Sequence, residues 1–346
     1  MQDMNWIGEV KRALDDSNNE KIVAVFREFQ LESEAAAIDF QSGDSEHKAR
    51  IKATLRRLIE SGCHRRLVQP GGDWAEKLQA LGEQFPNFHR AISEVILPSL
   101  AIAAAGGIAR PAPLLLVGPP GVGKSYFAEM LSRLLAVPKV VVDMASASTG
   151  ATLGGLAVHW SNAGPGEVFK ALALGRAGQK AVANPLIILD ELDKVSTDHR
   201  YDPLGPLYSL LEHQTACRYE DASLPGVEMD ASHIRWMLCA NRVEPIPRPI
   251  LSRVHVVHVP EPSAGERKRM FAGIFSDVVR SLVLDEFDAT VDVSVLAMAD
   301  IMGPREFKTR SVMAVGRALA DKRWQANTDD FSVGVLPVPS KRIGFV

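Results

Sequence analysis

Cysteine is scarce. Cys63, Cys217 and Cys239 are the only three in 346 residues, too few and too scattered for a disulfide frame or a zinc site. Cys239 sits in an apolar run, and all three read as core or inert thiols. Neither sign of charge dominates. Lys and Arg total 39 against 42 Asp and Glu, a formal charge of -3, which argues against wholesale electrostatic binding of nucleic acid and leaves room for a local patch. Long apolar runs are missing too. The longest, about Val95 to Ile108, contains Pro98 and falls short of the ~20 residues that span a bilayer. The opening stretch, Met1 to Val10, carries acids and no apolar core, so it does not read as a secretory signal. The nine histidines are dispersed, with no His/Cys spacing of a metal cluster. His255 and His258, three apart on a predicted strand, point to opposite faces and cannot easily share a ligand. There is no internal repeat and no low-complexity tract. Together these absences lead us to expect a soluble protein of a reducing, cytoplasmic compartment, with no membrane partner.

With 46 % apolar and 23 % charged residues, the chain is globular rather than disordered. Its length suits two or three compact units. Residues 1–84 read as a helical N-terminal region, with Ile51, Leu55, Leu58 and Ile59 at helical spacing. Within it Lys48–Arg66 is rich in Lys and Arg. That segment is the solvated face of an amphipathic helix or, less plainly, a contact for nucleic acid or an acidic partner. No groove-reading motif or aromatic interleaving supports the sharper reading. From residue 85 short apolar runs alternate with helical segments. Leu114–Val117, Val140–Val142, Leu186–Leu189, Trp236–Ala240 and Val254–Val259 are short and nearly unalternated, as strands covered on both faces are. The fold class is therefore α/β with a parallel sheet over 85–262. After Pro262 the strands stop. Ala264–Phe275, Val291–Ala299 and Pro304–Ala320 predict a small α-helical unit over 263–322, followed by a tail over 323–346.

Gly118, Pro119, Pro120, Gly121, Val122, Gly123, Lys124 and Ser125 follow a predicted strand and open a helix, with Tyr126 next along it. The spacing is that of a phosphate loop, in the context the pattern requires. Its glycines let successive N–H groups turn inward around phosphate oxygens, and the following helix adds its N-terminal dipole. Lys124 is expected to reach the β- and γ-phosphates of ATP, and Ser125 to place its hydroxyl on Mg²⁺. Leu186–Leu189 is an apolar strand ending in Asp190 and Glu191. Asp190 is placed to hold Mg²⁺ through water, and Glu191 to polarise the water that attacks the γ-phosphate.

On these residues the chain resembles the AAA+ ATPases and, among them, the ATPase module of the Lon proteases, over about Phe85 to Ala320. The more particular stretches are Asp198–Pro203, Leu210–Glu212 and Ile246–Arg253, in the Lon order. The resemblance implies an AAA+ P-loop core followed by a small α-helical lid. It implies further roles. Asn241, at a strand end, matches a polar sensor that orients the attacking water, unless it only makes a turn. Arg253 resembles an arginine finger acting on a neighbouring subunit's nucleotide, with Arg248 the nearby competitor. Arg305, after Gly303 and Pro304, resembles the lid's sensor arginine, with Arg310 the alternative. Trp160, ahead of Ser161–Gly166, stands where Lon-like proteins carry an aromatic facing a central pore. A flat amphipathic ring there can grip many side chains, although the ordinary fate of a Trp is partial burial. His199 and Tyr201 are candidates on a second pore loop, and 220–233 resembles an inserted hairpin.

One departure matters. Lon carries a serine–lysine protease domain after the lid, and this sequence runs only about 25 residues further, with no fold around Ser340 or Lys341. The expectation is thus an ATP-hydrolysing protein-remodelling or unfolding motor without peptidase activity. A finger acting in trans implies a ring, taken as a hexamer, and a separate protease or adaptor is left open as a partner. The alternatives are a nucleic-acid remodelling or loader ATPase, for which the loops around Trp160 and His199 are not basic enough, and an ATP-dependent switch or scaffold.

Overall fold

A computed structural model describes residues 21–37, 45–147, 149–157, 164–175, 178–195, 202–297 and 302–332. These fall into two compact units. One takes the described residues up to Glu83 and those of Phe88–Glu261, and the other Gln84–Asn87 and the described residues from Pro262 onward.

The first unit opens with β1 (Ile22–Ala24), α1 (Glu28–Ala37), α2 (Ser45–Ser61) and β2 (His64–Arg66). Sequence periodicity predicts only helices here. The structure adds two strands, β1 and β2, paired antiparallel with Val23 opposite Arg65. Three-residue strands are too short to leave a periodic signal. Ile51, Leu55 and Leu58 are buried along one face of α2, in the same apolar core as sheet residues Leu115, Ile187 and Leu238, while Arg56 and Arg57 face water. The basic segment is thus largely the solvated side of an amphipathic helix.

After α3 (Trp74–Gln84) a helical run covers His89–Ala91, a π turn at Ile92–Ile96 and α4 (Leu97–Ala104). Pro98 has no N–H to give the Glu94 carbonyl, which accounts for the locally widened turn. Among the described residues no helix is long and apolar enough to cross a membrane. Then come β3 (Leu114–Val117), α5 (Lys124–Leu135), β4 (Lys139–Asp143), α6 (Glu167–Ala173), β5 (Leu186–Asp190), the hairpin of β6 (Tyr219–Glu220) and β7 (Glu228–Met229), β8 (Arg235–Ala240) and β9 (His255–His258). The five long strands form one parallel sheet in the order β4-β5-β8-β3-β9. Every residue of β3 and β8 is buried, as are the first four of β5, as their unbroken apolar runs predict. The edge strands differ. β4 alternates, with Val141 51 % exposed, and β9 is only partly covered, each having a sheet neighbour on one side only.

The second unit holds α7 (Ala264–Ser281), a short helix Val293–Leu296, α8 (Pro304–Ala320) and α9 (Thr328–Ser332). Ser263 and Glu266 close a capping box at the start of α7. The core of the unit is aromatic: Phe271, Phe275, Phe307 and Phe331 are fully buried, with Phe307 and Phe331 stacked at 5.7 Å. Residues 323–332, expected as the start of a tail, belong to this packing. Phe331 anchors them, and Arg323 donates twice to Asp330, at 2.7 and 2.9 Å. The guanidinium holds the Asp330 carboxyl below the usual carboxylate range.

Candidate functional site

The carboxyl ends of β3, β5 and β8 meet in one place. Gly118 follows β3, and its N–H donates to the Ala240 carbonyl at the end of β8 (3.2 Å). A Cβ at this position would lie 2.4 Å from the Val259 carbonyl oxygen, so only glycine lets β3 leave the sheet here. Gly123, at φ 99°, turns the chain into α5, a conformation that residues with a side chain rarely adopt. Between them Pro119, Pro120, Gly121 and Val122 complete the loop, with Val122 buried. The first turn of α5 carries Lys124, Ser125 and the half-buried Tyr126, and its free N–H groups give that end a positive field.

Lys124 is only 8 % exposed. Its Nζ donates to the carbonyls of Gly118 (2.6 Å) and Pro119 (3.2 Å) and to Asn241 Oδ1 (3.1 Å). Burial pushes the ammonium below its ordinary pKa, against the pull of nearby Cys239, Asp190 and Asp193. Ser125 Oγ donates to Asp190 Oδ2 (3.0 Å), while Asp190 Oδ1 accepts the N–H of Glu191 (3.0 Å). Glu191 itself stands in the left-handed region at φ 57°. That conformation is costly for a residue with a Cβ and is typical of functional turns. Its carboxylate accepts from Lys194 Nζ at 2.8 Å. Asp193 Oδ1 accepts the Asn241 N–H (3.0 Å), fixing the residue that follows β8. On the neighbouring strand Cys239 is wholly buried and its thiol is pushed up to about 12, so it is no nucleophile.

Sequence reasoning overlooked Asp193 and Lys194. Both lie in the short 3₁₀ turn Leu192–Lys194, two and three residues after Glu191, and that spacing was the available signal. Other expected residues stand apart from the cluster. Arg253 donates to the Pro249 carbonyl (2.7 Å) and lies 3.4 Å from Glu212 in an ion pair whose Nε makes no hydrogen bond. Arg248 is exposed. Arg305 is exposed in the first turn of α8, in the second compact unit, and Arg310 is paired with Glu306 (2.8 Å). Trp160, His199 and Tyr201 lie outside the described residues. The base of the Trp160 loop is described: the Leu156 N–H donates to the Gly164 carbonyl (2.9 Å). Close by, buried Asp221 accepts from Gly166 N (2.9 Å) and from Ser223. The hairpin expected over 220–233 is the β6–β7 pair.

The cluster fits a magnesium-bound triphosphate. The loop is pinched where Gly118 passes Val259, a helix N-terminus opens onto it, and a buried ammonium sits beside its carbonyls. A hydroxyl and a carboxylate 3.0 Å apart are the oxygen donors a hard divalent cation prefers.

A loop of this geometry, set between a parallel strand and a helix, defines a P-loop nucleotide-binding core. Residues 114–261 match the family model described as "ATPase family associated with various cellular activities (AAA)". The chain is similar there to the AAA+ ATPase modules of Lon proteases. It is 31 % identical over 176 residues to Lon protease of Mycolicibacterium smegmatis, a match covering 51 % of this chain and 22 % of that protein. To "Lon protease homolog 2, peroxisomal" of Arabidopsis thaliana it is 32 % identical over 186 residues, covering 53 % and 20 %. The chain therefore spans about a fifth of the length of these relatives. Among solved structures, a closed state of Hsp104 with ATPγS and FITC casein is similar at a TM-score of 0.53 and 13 % identity, covering 73 % of this chain and 49 % of that one. At that identity the likeness concerns the fold alone.

Proposed function

We propose that this chain is an ATP-driven motor that remodels or unfolds proteins, hydrolysing ATP at the interfaces of a ring, taken as a hexamer. The observation that carries the reading is the convergence of Lys124, Ser125, Asp190, Glu191 and Asn241 at one edge of the sheet. Bound Mg²⁺ would supply charge neutralisation on the phosphate oxygens, held from Ser125 and Asp190. Lys124 binds the β- and γ-phosphate oxygens. Asn241, steadied by Asp193, orients water through its amide. Glu191 accepts the proton of that water, which requires its carboxylate to leave Lys194. Arg253, bonded away from its own loop, serves a neighbouring copy's triphosphate. A guanidinium on transition-state charge is worth ~10³–10⁵ in rate in related phosphoryl transfers. Repeated head-to-tail contacts of this kind close into a ring or wind into a spiral. Arg305 couples the nucleotide to the lid, and Trp160 grips the polypeptide. The Lon relatives support the protein-directed reading over the nucleic-acid and switch readings. We assign no peptidase step to this module, and a separate protease or adaptor is a candidate partner.

The test is ATPase stimulation by two polymers. A permanently unfolded polypeptide should accelerate turnover, double-stranded DNA should not, and Trp160→Ala should remove the stimulation. Acceleration by DNA alone would replace this reading with the nucleic-acid one. A slow rate indifferent to both would point to the switch.

A further inference from the structure

An open cleft of about 850 Å³ lies at the amino ends of β4 and β5, between β2, Pro138 ahead of β4 and residues 179–182 that lead into β5. The phosphate loop is at the other end of the sheet, about 15 Å away along a five-residue strand. Arg66 is bridged in parallel to Val182, and the Ala183 N–H donates to the Arg66 carbonyl (2.9 Å), which fixes β2 against this end of the sheet. Gly175, at φ 69° after α6, has no room for a Cβ, which would lie 2.3 Å from the Gln179 carbonyl oxygen. Glycine there lets the chain double back and set Lys180 on the cleft.

The charge in this cleft is of one sign. Arg65, 6 % exposed, stands in its wall. Its Nε, Nη1 and Nη2 donate to the carbonyls of Leu172, Gly62, His64 and Ala173 and to Ser61 Oγ, all neutral acceptors. Its hydrogen bonds are satisfied while its charge is not cancelled. Arg66 and Lys180 add an exposed guanidinium and an exposed ammonium, and His64 an exposed imidazole. Among the described residues of the lining none is acidic. Like charges around one cleft add their fields and concentrate an anion there. Pro138, Val182 and the 36 % exposed Leu174 supply apolar wall.

These features select the ligand. A metal ion is repelled, and an uncharged apolar ligand would strand the cations from water. No described lining residue is aromatic, so a nucleobase finds no ring to stack on. A small inorganic anion would leave most of the volume unfilled. An extended peptide uses both kinds of wall. Lys180 is two residues before Val182, which faces Arg66, so acids at alternate positions, ~6–7 Å apart, suit the two cations. The side chains between them face the opposite way and supply the apolar contact. This sequence holds three acid–apolar–acid triplets, centred on Leu192, Met229 and Phe287. All three central residues are buried, which argues against a second copy as the source.

We propose that this cleft docks an acidic segment of a partner protein, an extended stretch with carboxylates at alternate positions and aliphatic residues between them. The inference does not rest on the ATPase reading. Fluorescence anisotropy of a labelled Gly-Glu-Leu-Glu-Leu-Glu-Gly peptide, titrated with the whole chain, tests it. The Kd should be on the order of 100 μM at low salt, and a peptide with Gln for each Glu should bind at least ~10-fold more weakly. Joint Arg66→Glu and Lys180→Glu should weaken the acidic peptide at least ~10-fold while ATP affinity stays within a few-fold. Lys124→Met should leave peptide binding unchanged. Should the double variant lose ATP binding too, Lys180→Glu alone must still weaken the peptide at least ~3-fold. Equal binding of the Gln peptide, equal binding by the charge-reversed chain, or loss in Lys124→Met would overturn the proposal. Tighter, cleft-dependent binding of a short oligothymidylate would give the cleft to nucleic acid instead. Sedimentation showing that charge reversal dissociates the chain's own assembly would give it to a second copy.

Discussion

At the carboxyl ends of β3, β5 and β8, Lys124 donates to two carbonyls and a carboxamide, Ser125 is tied to Asp190, and Asn241 to Asp193. At the amino end of β8, Arg235 is buried with Nη1 unpartnered in an apolar wall. Both groups are buried cations, one in the helix that follows β3 and one at the start of β8. The first stands among preset partners, where charge can be handled without reorganisation. The second has a buried nitrogen with no partner among the described residues. Burial of a charge therefore does not distinguish a working site from a liability; the number and placement of its partners do.

The same substitution at both edges sharpens this contrast. Lys124→Met should lower ATP affinity on the order of 100-fold by removing charge-assisted bonds to phosphate. Arg235→Met should leave ATP affinity alone and raise stability in thermal melts by about 1–4 kcal/mol, as replacing buried charge with packed apolar atoms does. If Arg235→Met destabilises instead, the guanidinium has partners and the contrast fails. A smaller effect is expected beside the loop. Glu191 is held by Lys194 through an exposed ion pair, worth at most ~1 kcal/mol. Lys194→Ala should raise basal ATPase by no more than ~5-fold, and a fall in rate would mean that Lys194 assists turnover rather than restrains Glu191.

Much of the α/β fold was legible because its signals are local. Unbroken apolar runs mark β3, β5 and β8, and the glycine spacing from 118 to 123 places the loop between strand and helix. Val141 was misjudged because the run Val140–Val142 gives no hint that β4 is an edge strand. The helix around Phe331 was hidden by its Pro- and Val-containing surroundings, and only Phe307 and Phe275, distant in sequence, give that ring a core to join. In the candidate site the residues of each motif were visible, but the links between motifs were not. The Asp193–Asn241 bond joins residues 48 positions apart. Arg235 was least legible of all. It looked like the residue before a strand, and its isolation depends on Val95, Ser99 and Leu131 arriving from elsewhere without a carboxylate.

In the proposed mechanism the carboxyl edge of the sheet hydrolyses ATP with Glu191 as the base. Measuring ATP affinity and steady-state turnover of Glu191→Gln side by side tests it most directly. ATP affinity should stay within a few-fold of the parent while turnover drops ~10²–10⁴-fold, the usual share of a general base. Turnover at the parent rate in that variant would contradict the assignment.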